Sequence, residues 1–156
     1  MKTVLIAALT CLVSITASAE DNVPRGYTPL AEYKEVQAKA VANKKLVVLV
    51  VKGADDACPN CVAAMDHGEK AAGSGVEKLF VRAEAINKAG GSEQPPALQE
   101  RLKTKLFTTG ASVTFLVFNP EMTEIVAEAG RRELQSDKDA TSAFKKKVQA
   151  AKKALK

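Results

Sequence analysis

Leu46-Val47-Val48-Leu49-Val50-Val51 is an unbroken apolar run, apolar at odd and even positions alike. Side chains alternate sides along a strand, so such a segment buries both of its faces and needs helices above and below it. The chain is thereby committed to a layered α/β arrangement with this run as a central strand. A loop, Gly53-Ala54-Asp55-Asp56-Ala57, then leads into Cys58-Pro59-Asn60-Cys61, and Val62-Ala63-Ala64-Met65 continues as a helix. Two cysteines separated by two residues, where a strand hands over to a helix, are the minimal equipment for thiol–disulfide exchange. The arrangement supplies both an attacking and a resolving sulfur.

The first residues read as an export signal. Lys2 gives the positive start, Val4 to Ile15 the apolar stretch, and Ala17-Ser18-Ala19 a small-residue cleavage site. The apolar stretch falls short of the ~20 residues that span a bilayer, so cleavage after Ala19 is expected and no membrane insertion after it. Thr10 is a poor residue before a lipidated cysteine, which sets aside a lipoprotein reading of Cys11. Residues 1–19 are thus a signal peptide and residues 20–156 one domain, long enough for its own core. The location expected is the periplasm or the exterior, an oxidising setting in which Cys58 and Cys61 pair. As a staple the bridge would contribute little, since the loop it closes is very short.

The net charge is +5, one less without Lys2. Much of the excess lies in Lys145-Lys146-Lys147, Lys152, Lys153 and Lys156, interleaved with Phe144, Val148, Ala151 and Leu155. The apolar residues form one stripe of a helix. The lysines are read as its solvated face and not as a nucleic-acid or membrane site.

Thr28-Pro29 reads as an N-cap and first helical residue, with a helix to Asn43 carrying Leu30, Tyr33, Val36, Ala40 and Val41 at helical spacing. The helix opened by the cysteine motif fades near Gly68 to Gly75. Lys78 to Ala85 is the next strand, Ala89 to Pro96 a loop, and Ala97 to Lys105 a short helix. Val113-Thr114-Phe115-Leu116-Val117-Phe118 is a strand, with Phe115 and Phe118 on opposite faces as core residues. Asn119-Pro120-Glu121 turns it into a hairpin partner, Glu124 to Ala129. A final helix runs from about Asp137. Helices between the early strands imply crossovers, and the last two strands an antiparallel pair.

The order α-β-α-β-α-β-β-α, with Cys-x-x-Cys just after the first central strand, resembles the thioredoxin-like superfamily. The resemblance extends from about Tyr27 to Leu155. Its flavour is that of exported bacterial members with a leading helix, and Lys44 to Cys61 carries that pattern. It implies a single α/β domain of thioredoxin-like fold, a central mixed sheet flanked by helices. It also implies protein thiol or disulfide substrates, an external redox partner and no diffusible cofactor. In that family a tryptophan precedes the first cysteine, and here Ala57 does. A buried acid stands on the preceding strand, where this chain offers Lys52. A cis-proline faces the disulfide, and here the corresponding residues are Ser112-Val113-Thr114. A cis bond before a non-proline residue costs ~3 kcal/mol, so the bond before Val113 is expected to be trans. Ser112 and Val113 are the substrate-facing residues the resemblance implies.

With helix start at Pro59, Cys58 is the N-cap and the amides of Asn60 and Cys61 point toward its sulfur. Unpaired amides and the positive helix end favour a thiolate, making Cys58 the nucleophile and Cys61 the resolving thiol. Asp55 and Asp56 oppose this by their charge. A metal site is disfavoured, because His67 is the only histidine and lies about 600° around the helix from Cys61. The function expected is an exported thiol–disulfide oxidoreductase. The alternative is a thioredoxin-fold binding or accessory module with weak or no turnover, to which the missing tryptophan and cis-proline point.

Overall fold

The computed structural model describes residues 23–88, 94–136 and 138–156. The leader with Cys11, the loop glycines Gly90 and Gly91, and the expected helix start at Asp137 lie outside the described residues. Five strands form one sheet: β1 (Thr28–Pro29), β2 (Leu46–Lys52), β3 (Val76–Arg82), β4 (Val113–Phe118) and β5 (Ile125–Gly130). Their spatial order is β1-β3-β2-β4-β5. The first three run parallel; β4 is antiparallel to β2, and β5 to β4. The helices are α1 (Tyr33–Asn43), α2 (Pro59–Ala72), α3 (Ala83–Lys88), α4 (Pro96–Thr104), α5 (Arg131–Ser136) and α6 (Lys138–Ala154). The described residues form a single α/β domain with a mixed sheet flanked by helices, compatible with the fold expected. Among them no helix is long and apolar enough to cross a membrane.

Strand β2 is the spine. Leu46, Val48 and Val50 face a core shared with Cys58, Cys61, Ala64, Phe115, Leu134, Phe144 and Val148. Val47, Leu49 and Val51 face the other, with Val36, Ala40, Ile86, Leu98 and Phe118. Alternate residues of one strand thus hold two helical layers, as apolarity on both faces requires. Phe115 and Phe118 divide between the two cores in the same way. The stripe of α6 behaves as its spacing demands, Phe144 and Val148 being buried and Ala151 and Leu155 packed beside them.

Four local expectations are corrected. Thr28-Pro29 is not the first turn of the helix: Pro29 is extended (ψ 144°), the pair lies beside Leu79 and Phe80 as a short parallel edge strand, and a 3-10 turn, Leu30–Glu32, then leads into α1. A proline lacks the amide that a central strand would need, and an edge position tolerates that. Strand β3 begins and ends earlier than expected because it is held in register with β2, from Leu46↔Val76 to Lys52↔Arg82. Ala83 to Lys88 is helical, burying Ala83 and Ile86 one turn apart. Helix α2 continues through Gly68 and stops at Gly73, whose positive φ of 68° marks the true end. Gly68 is needed inside the helix because the Phe115 ring lies directly against it.

Candidate functional site

The disulfide sits where β2, through its loop, delivers the chain to α2. Cys58 is the N-cap of α2, extended at φ −65° and ψ 108°, and Pro59 takes the first helical position. Proline suits that place because its missing amide would have no helical partner there. Cys58 and Cys61 are bonded to each other, with their Cα atoms 5.2 Å apart. The Cys61 amide donates to Cys58 Sγ at 3.2 Å. Among the described residues it is the amide that reaches this sulfur; the Asn60 amide, expected beside it, is not found there. The two sulfurs differ in access: Cys58 retains 8 % of its surface and Cys61 none. Attack from outside therefore meets Cys58 first.

The loop between β2 and the motif is tied to the segment before β4. Gly53 N donates to Ser112 O at 2.9 Å, and Ala54 N to Thr109 O at 2.7 Å. A Cβ on Gly53 would fall 1.7 Å from the Gly110 carbonyl oxygen, so only glycine lets the two backbones approach this closely. Ser112 is half-exposed and its hydroxyl donates to Thr108 O. Val113 is buried in the same core as the cysteines, and the peptide bond before it is trans. The pairing of β5 stops at Thr114↔Gly130, so Ser112 and Val113 lie beyond its end. A partner arriving here would meet backbone and the Ser112 hydroxyl, with the Val113 side chain turned into the core.

The acidic residues before Cys58 are occupied. Asp55 accepts from the Ala57 amide at 3.1 Å, turning inward on its own loop. Asp56 receives both arms of the Arg82 guanidinium, at 2.8 and 2.9 Å, and the Lys52 ammonium. Arg82, then Lys52, hold its carboxyl well below the usual carboxylate range. Asp56 is thus a compensated charge, which weakens its opposition to a thiolate at Cys58. Lys52, standing where the resemblance implies a buried acid, is mostly covered and paired.

Two further contacts come from α5. His67 Nδ1 and Leu134 O are 2.6 Å apart, and since a carbonyl only accepts, Nδ1 donates. His67 thus fastens α2 to α5, and among the described residues no group of His, Cys, Asp and Glu could hold a metal ion. Arg131, the first residue of α5, brings Nη1 to 3.9 Å from Cys58 Sγ. Sequence reasoning missed it. The two residues are 73 apart in the chain, and Arg131 reads as the polar end of a strand. The only local signal is its place directly after a hairpin that ends in glycine.

Compared with known families, curated proteins and solved structures, this chain matches no family model, no curated protein and no solved structure.

Proposed function

We propose that this protein is an exported thiol–disulfide oxidoreductase of thioredoxin-like fold, exchanging disulfides with partner proteins through Cys58 and Cys61. One observation carries the reading: a disulfide set at a helix start, with the Cys61 amide on the outer sulfur, Cys58 Sγ. The mixed sheet and the late β4–β5 hairpin support the fold assignment, and the leader pattern supports export to the periplasm or beyond.

In the oxidising direction, a partner thiolate attacks Cys58 Sγ. The Cys58–Cys61 bond breaks, Cys61 leaves as thiolate and takes up a proton, and a mixed disulfide joins Cys58 to the partner. The partner's second thiolate then attacks its own sulfur in that bond, expelling Cys58. The partner dithiol has become a disulfide, and its two electrons rest on the cysteine pair. In the reducing direction the same steps run backwards, Cys58 attacking and Cys61 resolving. An external redox partner resets the pair. No cofactor and no metal takes part, and neither nucleic acid nor a membrane is a partner in this reading.

The test is the equilibrium reduction potential of the pair together with reductase and dithiol-oxidase assays. A value between about −270 and −120 mV, with turnover in one direction, is expected. A value below about −300 mV without turnover overturns the reading. That outcome would favour a binding or accessory module with a permanent disulfide, to which the burial of Cys58 and Ala57 in place of a tryptophan point.

A further inference from the structure

The guanidinium of Arg131 stands against the sulfur that the reaction would leave negatively charged. It is placed there by several contacts. Strand β5 ends at Gly130 opposite Thr114, and α5 begins at the next residue. Glu133 accepts from the Gly130 amide at 2.6 Å, closing the turn. Leu134 is buried beneath α2, and its carbonyl takes the His67 bond. Arg131 itself is half-buried. Among the described residues no carboxylate lies within ion-pair distance of it, and its polar contact is Cys58 Sγ.

Other described groups around the motif are committed elsewhere. On the loop, Asp55 binds the Ala57 amide and Asp56 is shared by Arg82 of β3 and Lys52 of β2. On α2, His67 serves Leu134, and on α5, Glu133 serves Gly130. A disulfide sulfur carries no net charge and gives a guanidinium little in return for its partial burial. A thiolate in the same place gives a charge-assisted contact.

We propose that Arg131 is the electrostatic partner of the Cys58 thiolate, stabilising the reduced pair and making Cys58 a better leaving group from a mixed disulfide. The second part rests on the exchange reading above; the first does not. In the step concerned, two electrons pass from a partner dithiol, which becomes a disulfide. Cys61 keeps one proton, the other goes to solvent, and Cys58 remains as thiolate beside Arg131. Among the described residues the guanidinium has no counter-charge until that moment, so its interaction with Cys58 depends on redox state.

The experiment measures the pH dependence of iodoacetamide labelling at Cys58 in the reduced full chain, read at that residue by mass spectrometry. Arg131→Gln is expected to raise the thiol pKa so that the thiolate fraction below the pKa falls about tenfold, as loss of a close opposite charge does. The reduction potential should drop by up to about 30 mV, the equivalent of tenfold for a two-electron couple. Arg131→Lys keeps the charge and should confine the loss to about threefold. Arg132→Gln removes an equal charge from the same helix and should leave the profile in place. An unchanged profile in folded Arg131→Gln overturns the inference, as does an equal shift in Arg132→Gln. Turnover of the unsubstituted protein is assayed alongside. Absent turnover with an intact Arg131 effect defeats the exchange reading and spares the electrostatic one. Turnover without an effect of Arg131 on the profile does the reverse.

Discussion

A Cβ on Gly68 would lie 2.4 to 2.8 Å from three atoms of the Phe115 ring. Both residues are buried in the core beneath the disulfide, so neither has room to yield. Gly68→Ala gains helix propensity, worth up to ~1 kcal/mol, but overpacks a dense core, which costs ~1–3 kcal/mol. A net loss of about 1–2 kcal/mol in urea unfolding is expected. Phe115→Leu should absorb part of it, giving a non-additive double-mutant cycle; strict additivity would mean the ring is not what Gly68 avoids. Asp56 shows how weak a well-made surface ion pair is. It is 59 % exposed, so Asp56→Asn should cost under about 1 kcal/mol near neutral pH despite the bidentate arginine. Its folded-state pKa lies below the unfolded value of ~3.9. The stabilisation is therefore present above about pH 4 and lost as the pH falls further. The gap between wild type and Asp56→Asn should shrink in acid, and a gap that widens there would contradict the assigned pairing.

Helix α2 owes its far end to another helix. The Lys152 ammonium of α6 donates to Ala72 O at 2.7 Å and to Ser74 O at 2.6 Å, serving carbonyls at and just beyond the C-terminus of α2. Desolvation by burial lowers its pKa, a cost accepted for two charge-assisted bonds. Lys152→Met keeps the stem and removes the bonds, and should destabilise by about 1–2 kcal/mol. Lys153→Met, one residue on and exposed, should change stability by less than about 0.5 kcal/mol. Equal effects would show that charge, and not the cap, is at work. The sequence pattern placed Lys152 among solvated lysines because position along a stripe does not reveal which carbonyls stand opposite. Elements were legible where burial leaves a periodic mark. Strand β4 was read residue for residue, β2 to within its last residue, and the start of α2 from Cys58 and Pro59. Elements set by neighbours were not. β1 has two residues, while α3 and α5 have six each, too few to show a helical period. The Cys58–Cys61 pair was legible because its geometry is local. Arg82, which joins the nearby Lys52 in neutralising Asp56, and Arg131, which approaches Cys58, arrive from β3 and α5, and such tertiary pairing leaves no trace in spacing.

At the scale of the molecule, the disulfide is not what holds the domain together. Both cores are built on β2 and β4, where Val47, Leu49, Val50, Phe115, Leu116, Val117 and Phe118 are fully buried, while the bridge closes a loop of minimal length. Chain-entropy arguments assign so short a loop about 2 kcal/mol. The reduced protein should keep its far-UV circular dichroism and a cooperative transition, with Tm lowered by less than about 10 °C. Collapse on reduction would show that the bridge is a structural necessity. The helix that carries the cysteines is nonetheless finished from far away. Its N-terminal sulfur meets Arg131, its middle is fastened through His67 to Leu134, and its last turn is closed by Lys152. All three contributors belong to the final segment of the chain. A polypeptide emerging from the ribosome therefore exposes both thiols well before the groups that surround them have been synthesised. Until residues 131–152 have been made and folded back, the pair lacks the electrostatic setting it has in the finished domain, whatever the stage at which its bond forms.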